Sequence, residues 1–453
     1  LDNNTLSPPE ANEIQLPLDD DYFGIRRSLW VTTDYVYKAA ARQYKKNLET
    51  LQEKNKTISE LEHRSFASQP VVNIREATPY ANVEVSSLER YIKDVSGIFS
   101  GYPEIDYSSA YLTFATGSSY FVNSEGTTSK TPVLQTSLHI FAQRNTEEGE
   151  GIHDQIVLHT YSPRELPAFE DLKPVVVKFI NDLLAEPAKV IEEEYSGPVL
   201  IIGQPVADAF ARTFFFSRES LMASDVLPDP KGYRQQDQSS AMDLKIGKQV
   251  VAEGLTLKVK PTMKEFDRVP LVGSYKIDRE GVVPKDELTL IDRGVIRNQI
   301  NDRSLIKPGE TATGHASGPG VVEISMQNGT PISLSKLREQ LLTEARKQGL
   351  DYAMIIDQVS IDPLAGAALI RVSTKDNSET HVRSGILQPL NLKDLRSIIG
   401  ATTTLKAHNH SGGNQQITSY IVPEGILLKD VDITKADIRI FKQERFISSP
   451  LKP

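Results

Sequence analysis

The sequence predicts an α+β protein with more than one domain, and three observations support this. With 453 residues, the chain is longer than a single hydrophobic core usually supports. Apolar residues recur at helical spacing in the first half, whereas short alternating segments typical of strands dominate the second half. An acidic run followed by Gly197 and Pro198 is typical of a domain junction. The expected units are an extended arm over 1–27, an N-terminal α+β domain over 28–194 and a C-terminal β-rich domain over 195–453.

Helical periodicity marks several segments of the chain. In the segment 333–350, Ser333 or Ser335 can cap the first turn, and Gly349 can end the helix. Another helix is expected after Gly203, where apolar residues follow at spacings of four. The remaining predicted helices run from about Ser28 to about Leu61, from Ser86 to Ile98 and from Phe169 to Leu184.

Alternating segments predict the strands, and two of them contain a turn. Residues 111–127 are interpreted as two strands joined at Gly117, with a further turn at Gly126. Residues 287–300 are interpreted as a hairpin that turns at 292–294. The other predicted strands include 136–145, 199–202 and 255–261.

Composition restricts the classes of partner. The net charge of −9 and the pI of about 5.6 are unusual for a protein that binds nucleic acid directly. The one basic cluster, formed by Arg42, Lys45 and Lys46, lies on a predicted helix with acidic neighbours. No apolar run approaches the roughly 20 residues of a membrane helix. We therefore expect neither a nucleic-acid nor a membrane partner. The chain contains no cysteine, which excludes disulfides and thiolate ligands.

Histidines are the first candidates for chemistry, and there are eight of them. No two are spaced as in a helical HExxH zinc motif. His408 and His410 would share one face of a strand and could hold a metal, but the context HNHSGGNQQ favours a polar loop. His315, in the glycine-flanked stretch 310–320, is either a site residue on a loop or a packed turn residue.

Carboxylates give one further candidate pair. Asp278 and Glu280 precede Gly281 in the stretch YKIDREG. Carboxylates this close can perturb each other's pKa and act as acid and base. The alternative is that they accept hydrogen bonds from the amides of a turn. Both interpretations stay open at the level of sequence.

The stretch from 273 to 318 resembles the TldD/PmbA family, also known as modulators of DNA gyrase or U62-type metallopeptidases. The resemblance rests on the order of Asp278, Glu280 and Gly281, then the hairpin glycine Gly294, then the sequence Thr-Gly-His-Ala ending at Ala316. The last of these is typical of the non-catalytic, PmbA-like branch. Compatible segments extend over about 195–435.

The resemblance implies a two-domain fold. The N-terminal domain would contain a mixed sheet and long helices, and the C-terminal domain would be β-rich and barrel-like. In the catalytic branch, zinc is held by two histidines of an HExxxH helix and by a late cysteine. Here the corresponding helix positions are 204–209, where Gln204 and Asp208 stand in place of metal ligands. No metal or other cofactor is therefore expected.

The resemblance then implies a catalytically inactive subunit that binds peptide or pairs, as a homodimer or with a TldD-like subunit. The alternative is an active zinc metallopeptidase with a non-standard site, built from His315, the pair His408 and His410, and Asp278 or Glu280. By resemblance the compartment is the cytoplasm. The start at Leu1 leaves open a removed leader, and with it a periplasmic or secreted protein.

Overall fold

The computed structural model describes residues 16–53, 67–79, 83–145, 151–185, 194–216, 220–223, 245–303, 311–327, 330–357, 367–387, 390–411 and 417–435. Its α-helices are α1 (Tyr22–Glu53), α2 (Val85–Gly97), α3 (Phe169–Ala185), α4 (Gln204–Phe215), α5 (Leu334–Lys347) and α6 (Leu392–Arg396). Its strands are β1 (Asn73–Arg75), β2 (Tyr107–Val122), β3 (Thr128–Asn145), β4 (Gly151–Thr160), β5 (Tyr195–Ile202), β6 (Leu255–Val259), β7 (Glu265–Phe266), β8 (Val269–Pro270), β9 (Leu288–Asp292), β10 (Val295–Ile296), β11 (Val321–Met326), β12 (Tyr352–Ile356), β13 (Ala367–Ser373), β14 (Glu379–Leu387), β15 (Ile398–Ala401), β16 (Leu405–Ser411), β17 (Ile417–Pro423) and β18 (Gly425–Lys435).

The N-terminal sheet is built around β3. This strand pairs antiparallel with β2 along one side, and with parallel β1 and antiparallel β4 along the other. The even-numbered residues of β3, such as Leu138 and Ile140, are buried in a core with α2 and α3. The helix α3 supplies Val176 and Ile180 to that core, as its amphipathic pattern predicts. The sheet is mixed, as expected, and the odd-numbered face of β3 points away from these helices.

The interpretation of 111–127 as two strands is wrong. β2 runs without interruption from Tyr107 to Val122, because β3 offers a pairing partner to every residue, Gly117 included. The turn comes later, where the side chain of Asn123 accepts hydrogen bonds from the backbone N–H groups of Glu125 and Thr127. Long-range pairing therefore overrides the local weakness of a glycine in a strand.

The C-terminal part contains two six-stranded sheets. One has the order β10-β9-β6-β11-β17-β16, and the other has the order β14-β13-β12-β5-β18-β15. An additional pairing of β14 with β18 links distant strands of the second sheet, so this sheet curls on itself. The α+β fold and the β-rich second part agree with the prediction.

The helix α4 lies in the core between these two sheets. Its buried residues include Val206, Phe210 and Phe214, which share a core with Val199 of β5 and Leu257 of β6. A helix that is apolar on nearly every side is expected to be buried. On the other face of the second sheet, α5 packs through its own apolar residues, which are Leu337, Leu341 and Ala345.

Most predicted helices and the predicted hairpin turn at 292–294 agree with the structure. The side chain of Ser333 caps α5, and Gly349 with φ of +73° follows its end. Arg293 and Gly294 both have positive φ, as a two-residue hairpin turn requires. The helix α1 begins at Tyr22, so residues 22–27 of the predicted arm are helical. None of the described helices is both long and apolar enough to cross a membrane.

The loop interpretation of His408 and His410 is also wrong. Both lie in β16, which pairs antiparallel with β17 from Leu405↔Pro423 to Ser411↔Ile417. β17 is buried along its whole length, so it fixes the polar segment beside it as an edge strand. Residues 412–416 of the predicted loop lie outside the described residues.

Candidate functional site

The helix α4 carries one line of polar side chains on a surface that is otherwise apolar apart from Thr213. Gln204, Asp208 and Arg212 follow one another at spacings of four and are half-buried. The chain enters the helix through Gly203, whose φ of +73° and ψ of −138° are accessible mainly to glycine. Pro205 in the first turn then fixes the helix start. These residues set which side of α4 presents Asp208.

Asp208 faces β16 and binds His410. The Nδ1 atom of His410 lies 2.9 Å from Oδ1 of Asp208, and the side-chain amide of Gln204 donates to the same oxygen at 3.1 Å. The two candidate sets, Gln204 with Asp208 and His408 with His410, therefore meet across the boundary between α4 and β16. They are about 200 residues apart in sequence.

His408 lies on the same face of β16, directly opposite Tyr420 of β17. Burial lowers the pKa of His408, and the nearby carboxylate of Asp208 offsets part of this. The Nε2 atom of His408 and the hydroxyl of Tyr420 are buried without a hydrogen-bond partner. Burial also raises the pKa of Tyr420, with Asp208 adding to the shift. The site thus contains two unsatisfied polar atoms beside one carboxylate.

The N-terminal sheet extends this cluster from the other side. His159 of β4 is buried, its Nδ1 lies 2.8 Å from Oγ of Ser137, and its carbonyl accepts a hydrogen bond from Asn409. Burial, aided by His139 and His410, lowers the pKa of His159 to about 4. His139, His159, His408 and His410 together form what we call the histidine row.

The histidine row continues onto the odd-numbered face of the N-terminal sheet. The rings of His139 and His159 meet edge to face with centroids 6.1 Å apart, and Tyr111 of β2 stacks on His139 at 4.6 Å. Sequence analysis missed His139 and Tyr420. The alternation of β3 could have indicated that His139 shares a face with Ser137, but the contact between the two domains has no local signal.

The donor set does not fit zinc held in the manner of the family's catalytic branch. The carboxylate oxygen of Asp208 already accepts from Gln204 and contacts the His410 ring. Among the residues that the structure describes, no three histidine, aspartate or glutamate side chains are arranged to hold a metal ion. Since the chain has no cysteine, the family's third ligand has no counterpart.

Asp278, Glu280 and His315 form a second, separate cluster. Asp278 is buried and accepts hydrogen bonds from the backbone N–H groups of Glu280, Val282 and Ala316. Burial raises the pKa of Asp278 and of Glu280. This is the geometry of the turn interpretation, in which the carboxylate organises a loop.

The other members of this cluster are also engaged with the surrounding loops. Glu280 accepts a hydrogen bond from the backbone N–H of Arg303. His315 is buried, and burial lowers its pKa to about 4; its Nδ1 lies 3.1 Å from the hydroxyl of Thr313. The predicted convergence of His315 with His408 and His410 on one metal is not found among the described residues.

The position of His159 leads to a prediction about pH. Its folded-state pKa of about 4 lies below the ordinary value of 6.5, so the folded protein resists protonation. Stability from a neutral His159 is complete above pH 6.5 and is lost as the pH falls from 6.5 towards 4. By linkage, the loss amounts to about 2 kcal/mol at pH 5. We expect His159→Gln to flatten this slope in denaturant unfolding measured from pH 7.5 to 4.5. His381→Gln, at an exposed position, should leave it unchanged.

Comparisons with known proteins agree with this fold. Residues 219–356 match the family model of the PmbA/TldA metallopeptidase C-terminal domain. Three solved structures are similar. A proposed modulator of a DNA gyrase from Thermotoga maritima has 14% identity and a TM-score of 0.58, with 83% of this chain and 81% of that chain covered. A proposed modulator of DNA gyrase from Bacteroides thetaiotaomicron has 12% identity and a TM-score of 0.55, with 84% and 79% covered.

The third structure is TldE from Thermococcus kodakarensis, with 15% identity, a TM-score of 0.50, and 82% and 80% of the two chains covered. A search of curated proteins found no match. The fold and the domain match define a metallopeptidase-related α+β protein. The predicted relation to the TldD/PmbA family is thereby confirmed.

Proposed function

We propose that this chain is a catalytically inactive TldD/PmbA-like subunit that binds peptide and serves as a partner in a metallopeptidase assembly. The observation that carries the proposal is the hydrogen-bonded chain from Gln204 through Asp208 to His410. In the family's catalytic branch, this stretch of helix supplies two zinc ligands and the general base. Here it supplies an amide and a carboxylate that are bonded to each other.

The energetics of the site support a structural role for these residues. A carboxylate inside a protein needs hydrogen-bond donors, and Asp208 has two of them. Zinc would have to compete with Gln204 and His410 for the same oxygen. This competition opposes binding of the zinc ion that would supply a Lewis acid and an activated water for peptide hydrolysis. The site instead ties α4 to β16 beside the histidine row.

Peptide binding is supported by the edge of the N-terminal sheet. β2 is sixteen residues long, contains no charged residue and no proline, and pairs only with β3 among the described strands. Natural edge strands are usually protected by charges, prolines or bulges. An unprotected edge can accept an extended peptide as an additional strand. Tyr111 of this strand stacks on His139 of β3, so a peptide bound here would lie two strands away from that end of the histidine row.

Pairing is supported by the family relation. One of the similar structures is TldE, and the family prediction includes a TldD-like partner or a second copy. A subunit with an inactive helix at the metal position would contribute a peptide-binding surface, while an active partner would contribute the metal.

The first experiment measures metal and peptide on the same protein. We expect elemental analysis of protein purified without chelator, before and after zinc addition, to show far less than one equivalent of bound zinc. Near-stoichiometric zinc that is lost in His408→Ala or His410→Ala would contradict the proposal. The unpartnered Nε2 of His408 would then be a ligand, and the active zinc metallopeptidase would be the correct alternative.

Peptide binding is tested with a fluorescent, unstructured peptide and anisotropy. Lysine at two exposed positions of β2, Thr113→Lys and Ala115→Lys, should weaken binding, because charges on an edge strand oppose strand addition. Val175→Lys, at an exposed position of α3, is the matched control and should bind as the unchanged protein does. Equal binding by all variants would exclude the β2 edge as the peptide site.

A further inference from the structure

The helix α1 carries a stripe of exposed apolar side chains that repeats every seven residues. Phe23, Trp30, Tyr37 and Tyr44 stand at this spacing, and an apolar residue immediately precedes the first three of them: Tyr22, Leu29 and Val36. Phe23 is 72% exposed, Trp30 68% and Tyr37 70%. We call the four residues at seven-residue spacing the aromatic stripe. Sequence analysis predicted an apolar face on this helix but not its exposure.

Large aromatic side chains on a solvent-facing helix need an explanation. The helix α3 has comparable apolar periodicity, and its Val176 and Ile180 are fully buried. No described element packs extensively against α1. Apolar residues that repeat every seven residues keep one seam facing a second helix, with a slight left-handed supercoil. The aromatic stripe therefore has the periodicity of a helix–helix contact surface, extending for about 33 Å along the axis.

The charges beside the aromatic stripe indicate which helix packs against it. Residues 19–34 contain four carboxylates and two arginines, whereas 35–48 contain four basic residues and no acidic one. A second copy of α1 in antiparallel orientation places the acidic run 19–21 of one copy beside the basic residues within 42–46 of the other. The same orientation pairs Phe23 with Tyr44 and Trp30 with Tyr37. A parallel pair would instead bring like charges together, which is unfavourable.

We propose that α1 pairs antiparallel with α1 of a second copy of this chain, through the aromatic stripe. The arrangement is isologous, because each copy contributes the same surface to a two-fold contact. Aromatic pairs in such a seam add specific ring contacts to the apolar area they bury. The pairing of α1 does not depend on the chemistry at Asp208, so it can be tested independently of the proposed function.

The test uses the full chain and its single tryptophan. Sedimentation equilibrium should show that the chain associates with itself. In a separate measurement, the fluorescence emission of Trp30 should shift to shorter wavelength as the protein concentration rises. Tyr37→Glu should weaken this association by at least about tenfold, because each copy would bury a carboxylate in the seam. Val31→Glu is the matched control: it also adds a carboxylate in place of an exposed apolar residue of α1, but away from the stripe. It should associate normally.

A charge-reversal experiment tests the orientation. One variant carries Asp19→Lys and Asp20→Lys, and the other carries Arg42→Glu and Lys45→Glu. Each should associate more weakly than the unchanged chain, since its two ends then have like charge. A mixture of the two should recover association, because the antiparallel pair joins opposite charges at both ends. An unchanged mass in Tyr37→Glu, or no recovery in the mixture, would overturn the proposal.

Discussion

Replacing Arg303 with alanine is expected to lower the free energy of unfolding by about 3 kcal/mol, through lost charged hydrogen bonds and an unfilled space. Arg303 is 3% exposed, and its guanidinium donates to the carbonyl of Ala67 through Nε and Nη2. Nη2 also donates to Glu125 in the β2–β3 turn. The side chain therefore joins the N-terminal sheet to the loops around Glu280, and its loss leaves a buried carbonyl without its donors.

Thermal and denaturant unfolding of the full chain would measure this loss. Arg303→Lys should recover only part of the stability, because an ammonium cannot reproduce the planar, two-pronged geometry of the guanidinium. The matched control is Arg297→Ala. Arg297 is half-exposed and pairs with exposed Asp292, and such surface pairs contribute about 0–1 kcal/mol. Equal effects of Arg303→Ala and Arg297→Ala would show that the two domains are not joined through Arg303.

The sequence predicts those helices and turns whose pattern of apolar, capping or turn residues lies within the element itself. The helices α3 and α5 follow from their apolar spacing and, for α5, from the cap at Ser333. The β9–β10 hairpin follows from the residues of its turn. These features are local, since each depends on residues within one or two turns of chain.

The candidate site is not local in this sense. Asp208 meets His410 because α4 packs against β16 and β17, although no motif connects the two residues. The sequence of β16 predicted a loop because its composition is polar. Its strand conformation comes from pairing with the buried strand β17. Packing of α4 against β16 decided the first case and pairing of β16 with β17 decided the second, and residue propensity could not have indicated either.

The histidine row joins the N-terminal sheet to β16. His159 and His410 belong to different sheets, and the side chain of Asn409 in β16 donates a hydrogen bond to the backbone carbonyl of His159 in β4. Neutral imidazoles can donate and accept hydrogen bonds in a confined space without the cost of a buried charge. The buried imidazoles of His159 and His408, whose pKa values are lowered by burial, suit an uncharged, extended peptide backbone better than a charged ligand.

Replacing Asp278 with alanine is expected to have the largest effect on stability, a loss of about 4 kcal/mol, because three backbone donors, two of them buried, lose their acceptor. Those donors are the N–H groups of Glu280, Val282 and Ala316. The damage should extend to the N-terminal sheet, since the turn at Gly281 packs closely against Phe121 of β2. Unfolding of the full chain in denaturant would measure the loss.

Substitutions of Asp278 also distinguish a structural role of this residue from a catalytic one. If Asp278 organises the loops, Asp278→Asn should recover part of the stability, because its one remaining carbonyl oxygen can still accept from Glu280 and Val282 while its NH₂ group opposes the N–H of Ala316. Glu280→Gln should cost less, since Glu280 accepts from a single backbone donor, that of Arg303. If Asp278 were instead a catalytic group, Asp278→Ala would leave the unfolding transition in place, because a side chain kept for chemistry at the expense of stability does not destabilise the fold when removed.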